Sequence, residues 1–147
     1  MFARIVVGTD GSETAKRALL EATELAKQTG ASLEVVSAFD PVPSSRLREE
    51  RLQAPSDIAH AVNPQEDVDA ILREAEEQVA AAGIKVKTFA RQGEAADAIL
   101  DVAEAENADL IVVGNKGMTG AKRFLLGSVP NKVSHHAPCS VLIIRTT

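Results

Sequence analysis

Tryptophan and tyrosine are absent from the 147 residues, and phenylalanine occurs only four times. Stacking of single-stranded bases on aromatic platforms is therefore not expected. A single cysteine excludes an internal disulfide and fits a reducing cytoplasm. No apolar stretch approaches the roughly 20 residues of a membrane span. Met1-Phe-Ala-Arg4 leads straight into a strand-like run, so no signal peptide is expected. Positive charge is in deficit: sixteen Lys and Arg face twenty-one Asp and Glu, a net charge of −5. That is the wrong sign for a general nucleic-acid binder. Any phosphate ligand must be held by a local arrangement and not by a global field. What remains is 45% apolar and 25% charged, globular in character, with one domain expected over residues 1–147.

The hydrophobic period alternates between strand and helix. Arg4–Gly8 carries Ile5-Val6-Val7 and ends in glycine. Ser12 to Thr29 reads as a helix, with Ala15, Ala18, Leu19, Ala22, Leu25 and Ala26 on one face. Ser12 is its natural N-cap and Gly30 its stop. Leu33–Phe39 is a second strand. A helix from about Gln65 to Ala82 follows, with Val68, Ile71, Leu72, Ala75, Val79 and Ala82 on one side. Ile84–Arg91 alternates apolar and charged residues, and Glu94–Glu106 is a further amphipathic helix. Leu110–Val113, Ser128–His136 and Ser140–Arg145 read as strand, short helix and last strand. Residues 40–64 break the pattern with four of the six prolines, and read as a solvated loop or a mobile flap.

Strands alternating with helices imply parallel pairing through right-handed crossovers. The expected fold is α/β in three layers, a five-stranded parallel sheet with helices on both faces. Ile5-Val6-Val7 and Leu110–Val113 are apolar without a break, as central strands are. Ile84-Lys85-Val86-Lys87 suits an exposed edge. The strand order is then 3-2-1-4-5, flavodoxin- or Rossmann-like, and ligands in such sheets bind where the winding reverses, between strands one and four.

Two unusual loops meet at that place. One is Gly8-Thr9-Asp10-Gly11-Ser12, the other Gly114-Asn115-Lys116-Gly117, followed after nine residues by Gly127-Ser128. Glycines permit positive φ and close backbone approach, and successive N–H groups form a concave anion nest. Ser128 adds a hydroxyl at the positive end of a helix. The P-loop pattern is absent, and the glycines at 114, 117 and 120 do not have dinucleotide-fingerprint spacing.

Gly114-x₂-Gly117-x₉-Gly127-Ser128 with Asn131 resembles the nucleotide-binding signature of the universal stress protein family. The flanks match as well: Ile5-Val6-Val7-Gly8-Thr9-Asp10-Gly11-Ser12, Ala108-Asp109-Leu110-Ile111-Val112-Val113-Gly114, and His136-Ala137-Pro138-Cys139-Ser140-Val141-Leu142-Ile143-Ile144. The resemblance covers essentially the whole chain. It implies a five-stranded α/β fold, a homodimer, and binding of ATP or a related adenine nucleotide, AMP or cyclic AMP. Carried onto this chain, Asp10 would lie near the ribose or a bound metal ion such as Mg²⁺. Ala38 would offer backbone groups to the adenine. Gly114, Gly117, Gly127 and Ser128 would wrap the phosphates, with a further N–H from Val129. The stretch Gly127-Ser128-Val129-Pro130-Asn131 also resembles that of actinobacterial relatives able to bind cyclic AMP.

Structural readings stand beside these. Asp10 could simply close a turn through its side chain. Lys116, Lys122 and Arg123 either neutralise phosphate or are solvated; as phosphate partners they put ATP ahead of cyclic AMP. His135 and His136 suit a helix end, and Cys139 suits packing. The expected function is a cytoplasmic, nucleotide-binding, stress-response regulator acting as a homodimeric switch. A slow ATP hydrolase or phosphotransferase is the enzymatic alternative, for which only Asp10 offers a metal contact and no catalytic acid–base pair is evident. The dimer is expected through residues 140–145, whose apolar run belongs at a sheet edge.

Overall fold

The computed structural model describes residues 2–39, 64–115 and 128–146. Its elements run β1 (Arg4–Gly8), α1 (Glu13–Thr29), β2 (Ser32–Phe39), α2 (Pro64–Ala81) and β3 (Val86–Gln92). They continue with α3 (Ala95–Ala105), β4 (Leu110–Gly114), α4 (Ser128–His136) and β5 (Ser140–Ile144). All neighbouring strands are parallel, in the order β3-β2-β1-β4-β5. This is the expected flavodoxin-like winding. The proline-rich stretch from 40 to 63 lies outside the described residues, as do His60, Lys116, Gly117, Lys122, Arg123 and Gly127.

The strands' side chains divide by parity. Ile5, Val7, Leu33, Val35, Leu110 and Val112 pack against α1 and α2. Val6, Val36, Ile111 and Val113 pack against α3 and α4 on the other face. Ile5, Val6 and Val7 have no exposed surface at all, because β1 is flanked on both sides and covered on both faces. Cys139 is half-buried against the second of these cores, and burial pushes its thiol up.

Helix ends follow their local chemistry. Ser12 Oγ accepts from the Ala15 N–H at 3.2 Å, leaving α1 to begin at Glu13. Gly30 closes the helix in the left-handed region, φ 74°, with its N–H on the Ala26 carbonyl. β3 begins two residues later than Ile84, because Ile84 is still bonded to the Val79 carbonyl in the turn after α2. Asp109 joins the starts of β4 and β1, its carboxylate accepting from the Ala3 and Arg4 amides at 2.8 and 3.0 Å.

One residue breaks the apolar rule of β2. Glu34 is 3% exposed, on the strand face it shares with Val36, and its Oε2 has no hydrogen-bond partner. Burial raises its carboxyl above the usual carboxylate range, and the charge of Glu106 pushes the same way against Lys87 and Arg4.

Among the described residues no helix is long and apolar enough to cross a membrane.

Candidate functional site

At the carboxyl ends of the strands lies a cavity of about 400 Å³. Its floor is the strand ends: Thr9 and Asp10 after β1, Ala38 and Phe39 at the end of β2, and Gly93 after β3. Its walls are the first residues of two helices, Glu94, Ala95 and Ala96 at α3 and Ser128, Val129 and Lys132 at α4. Strand ends in a parallel sheet feed into helix starts. A cavity there is lined by amides and by the positive ends of helix dipoles.

The β1 loop is braced from within. Asp10 Oδ1 accepts from the Ser12 N–H at 2.9 Å, and Thr9 Oγ1 accepts from the Gly11 N–H at 3.1 Å. Asp10 therefore closes a turn and also lines the cavity. Gly11 has φ +80°, a conformation that favours glycine, and a Cβ there would stand in tight contact with Ile71 Cγ1 at 3.0 Å. Gly93, at φ +122°, turns the chain from β3 into α3.

Of the sequence-derived candidates, Asp10, Ala38, Ser128 and Val129 converge on this cavity. Gly114 does not line it. It borders a much smaller neighbouring space, about 20 Å³, together with Gly8, Thr14 and Thr146, and Val129 stands between the two. Nor does Gly114 adopt a positive φ; it ends β4 in register with Ile144, and the room it leaves is taken by Thr146 Cγ2, 3.3 Å from where a Cβ would stand. Gly117 and Gly127 fall outside the described residues.

The larger cavity is thus displaced from the β1–β4 crevice toward β2 and β3. Thr9, in the loop expected there, also lines it, and so do Phe39, Gly93, Glu94, Ala95, Ala96 and Lys132, which are not among the sequence-derived candidates. A usable signal existed for Gly93-Glu94, which is a strand-to-helix turn like those after strands one and four. Lys132 was legible as the residue one helical turn beyond Ser128.

Lys132 is the one cationic side chain lining the cavity among the described residues. Its ammonium sits 2.8 Å from Asp97 Oδ1 and 3.5 Å from Glu94 Oε2. The described residues hold no group of three or more His, Cys, Asp or Glu placed to bind a metal ion.

Comparison with known proteins places this architecture. A family model described as the universal stress protein family matches residues 1–145. The chain is 37% identical over 147 residues to a universal stress protein of Mycobacterium tuberculosis, covering 99% of this chain and 98% of the relative. A universal stress protein solved in complex with cyclic AMP is similar at 32% identity and a TM-score of 0.72, covering 99% of this chain and 98% of that one. The universal stress protein of Archaeoglobus fulgidus in complex with dAMP is similar at 25% identity and a TM-score of 0.68, covering 98% of each chain.

Proposed function

This chain belongs to the universal stress protein family, and from that premise we propose that it binds an adenine nucleotide in the cavity above β1, β2 and β3. One observation carries the reading: Asp10, Ala38, Ser128 and Val129, drawn from three distant parts of the sequence, line a single cavity of nucleotide size. The cyclic AMP and dAMP complexes of its structural neighbours support the base and sugar assignment. Asp10 supplies one carboxylate near the ribose. Any Mg²⁺ would take its remaining ligands from phosphate oxygens and water.

The finer reading is an ATP-binding homodimeric switch in the cytoplasm, with Gly114, Gly117 and Gly127 shaping the phosphate loop and Lys116, Lys122 and Arg123 balancing its charge. A second reading, cyclic AMP, is favoured by the Lys132 ammonium already being paired with two carboxylates. Calorimetric titration with ATP, AMP and cyclic AMP, with and without Mg²⁺, tests both. A saturable site that is lost when Ala38→Trp fills the cavity supports the proposal. Undiminished binding in that variant rejects the location, and multiple turnovers of ATP near one per second would move the protein to the enzymes.

A further inference from the structure

Ser128, Val129 and Lys132 stand at positions one, two and five of α4, so one helix face presents all three to the cavity. Lys132 does not present a free charge there. Its ammonium bridges Asp97 and Glu94 on the opposing helix, and its pKa is raised by the hydrogen bond to Asp97 and by the neighbouring carboxylates, so it stays charged through the neutral range.

Glu94 supplies an independent observation. It is the N-cap residue of α3, in extended backbone at φ −73° and ψ 145°, yet its side chain accepts no bond from the first amides of that helix. A carboxylate cap normally turns inward to those amides. This one reaches instead toward Lys132 on α4. The carboxylates of Asp10 and Glu94 line the cavity with one ammonium, that of Lys132, and Asp97 pairs with that ammonium from beyond the lining.

We infer that Glu94 and Asp97, by holding Lys132, set how much negative charge the cavity accepts, disfavouring a polyphosphate tail relative to a singly charged cyclic monophosphate. This rests on the adenine-nucleotide reading. The physics is Coulombic: each added phosphate charge is repelled by the two carboxylates and gains little from an ammonium they already neutralise. At separations within a Debye length, about 8 to 10 Å at ordinary salt, that repulsion is only partly screened. The pair is therefore a specificity device, separate from the amides and hydroxyl that hold any one phosphate.

The test uses the full chain with Glu94→Gln/Asp97→Asn, and separately Lys132→Met, titrated with ATP, AMP and cyclic AMP in EDTA at two salt concentrations. The double variant should bind ATP about tenfold more tightly, with cyclic AMP changed less than about threefold, the gap narrowing as salt rises. Lys132→Met should move the ATP to cyclic AMP ratio the other way. That ratio is the decisive readout, because a merely loosened fold weakens all three ligands together. Should the double variant unfold early, Asp97→Asn alone should still shift the ratio about threefold toward ATP. An unchanged ratio in a folded variant overturns the inference while leaving nucleotide binding intact. No binding of any of the three by the unaltered protein overturns the nucleotide reading and this inference with it.

Discussion

Asn115 Oδ1 receives two hydrogen bonds from Thr146, 2.8 Å from its backbone amide and 3.0 Å from its hydroxyl. Asn115 directly follows Gly114 at the end of β4, and its own N–H bonds the Ile144 carbonyl at 2.9 Å. The residue that opens the glycine loop is thereby fastened to the chain beyond β5. Asn115→Ala leaves the buried Thr146 without either acceptor contact, and should cost about 1–3 kcal/mol in urea unfolding. Asn115→Asp keeps an acceptor oxygen and should recover most of that loss.

Gly114 adjoins the same threonine. A Cβ at this position would stand 3.3 Å from Thr146 Cγ2, in backbone that needs no left-handed φ. Gly114→Ala should therefore be destabilising through crowding alone, by about 1 kcal/mol. Thr146→Ser removes the crowding methyl and keeps the hydroxyl. In a double-mutant cycle it should make the alanine nearly neutral. Additive effects of the two changes would show that strain arises elsewhere in the loop.

The periodic elements were legible because their signals are local. Ser12 before Ala15 and Gly30 after the last apolar repeat define α1 by capping chemistry that depends on nearby residues only. The unbroken run Leu110–Val113 marks a strand covered on both faces, and that placed β4 beside β1. The cavity's true position was harder to read. It depends on how the starts of α3 and α4 sit against the strand ends: the helix starts at Glu94 and Ser128 are legible locally, but their approach to one another across the sheet, which brings Lys132 to Glu94 and leaves Gly114 beside a separate small space, is not. Glu34 was invisible for a different reason. A lone carboxylate in a strand reads as a solvent-facing position, yet Glu34 lies on the face whose Val36 packs under α3 and is itself buried.

Glu34 gives the chain a pH dependence of stability with a definite sign. Its folded-state carboxyl titrates above the ordinary value, chiefly through burial and next through the charge of Glu106. The other charged groups at this position are Lys87, whose ammonium is 3.4 Å from Glu106 Oε1, and Arg4, whose guanidinium donates to the Glu106 carbonyl at 2.7 Å. A raised acid binds its proton more tightly when folded. Stability is then greatest below the ordinary carboxylate range and falls as pH rises through the folded-state value. The slope from this one group is at most about 1.4 kcal/mol per pH unit. Glu34→Gln should remove that component and be more stable than the parent at neutral pH, the difference closing below about pH 4. Parallel stability curves for the two proteins from pH 4 to 8 would refute the assignment.

The outer edge of β5 carries the remaining prediction. The sheet order ends at β5, so one side of that strand has no neighbouring strand among the described residues. Its residues Val141, Ile143 and Ile144 are only half-buried, and Leu142 is 38% exposed on an edge otherwise suited to a second strand. An apolar edge of this kind invites pairing with its own copy about a two-fold axis. Sedimentation at micromolar concentration should give a dimer. Leu142→Lys sets like charges together across that axis and should shift the protein to monomer without lowering its unfolding midpoint at high dilution. A parent protein that sediments as a monomer removes the interface. A dimer that survives both Leu142→Lys and Ile144→Lys places it on another surface.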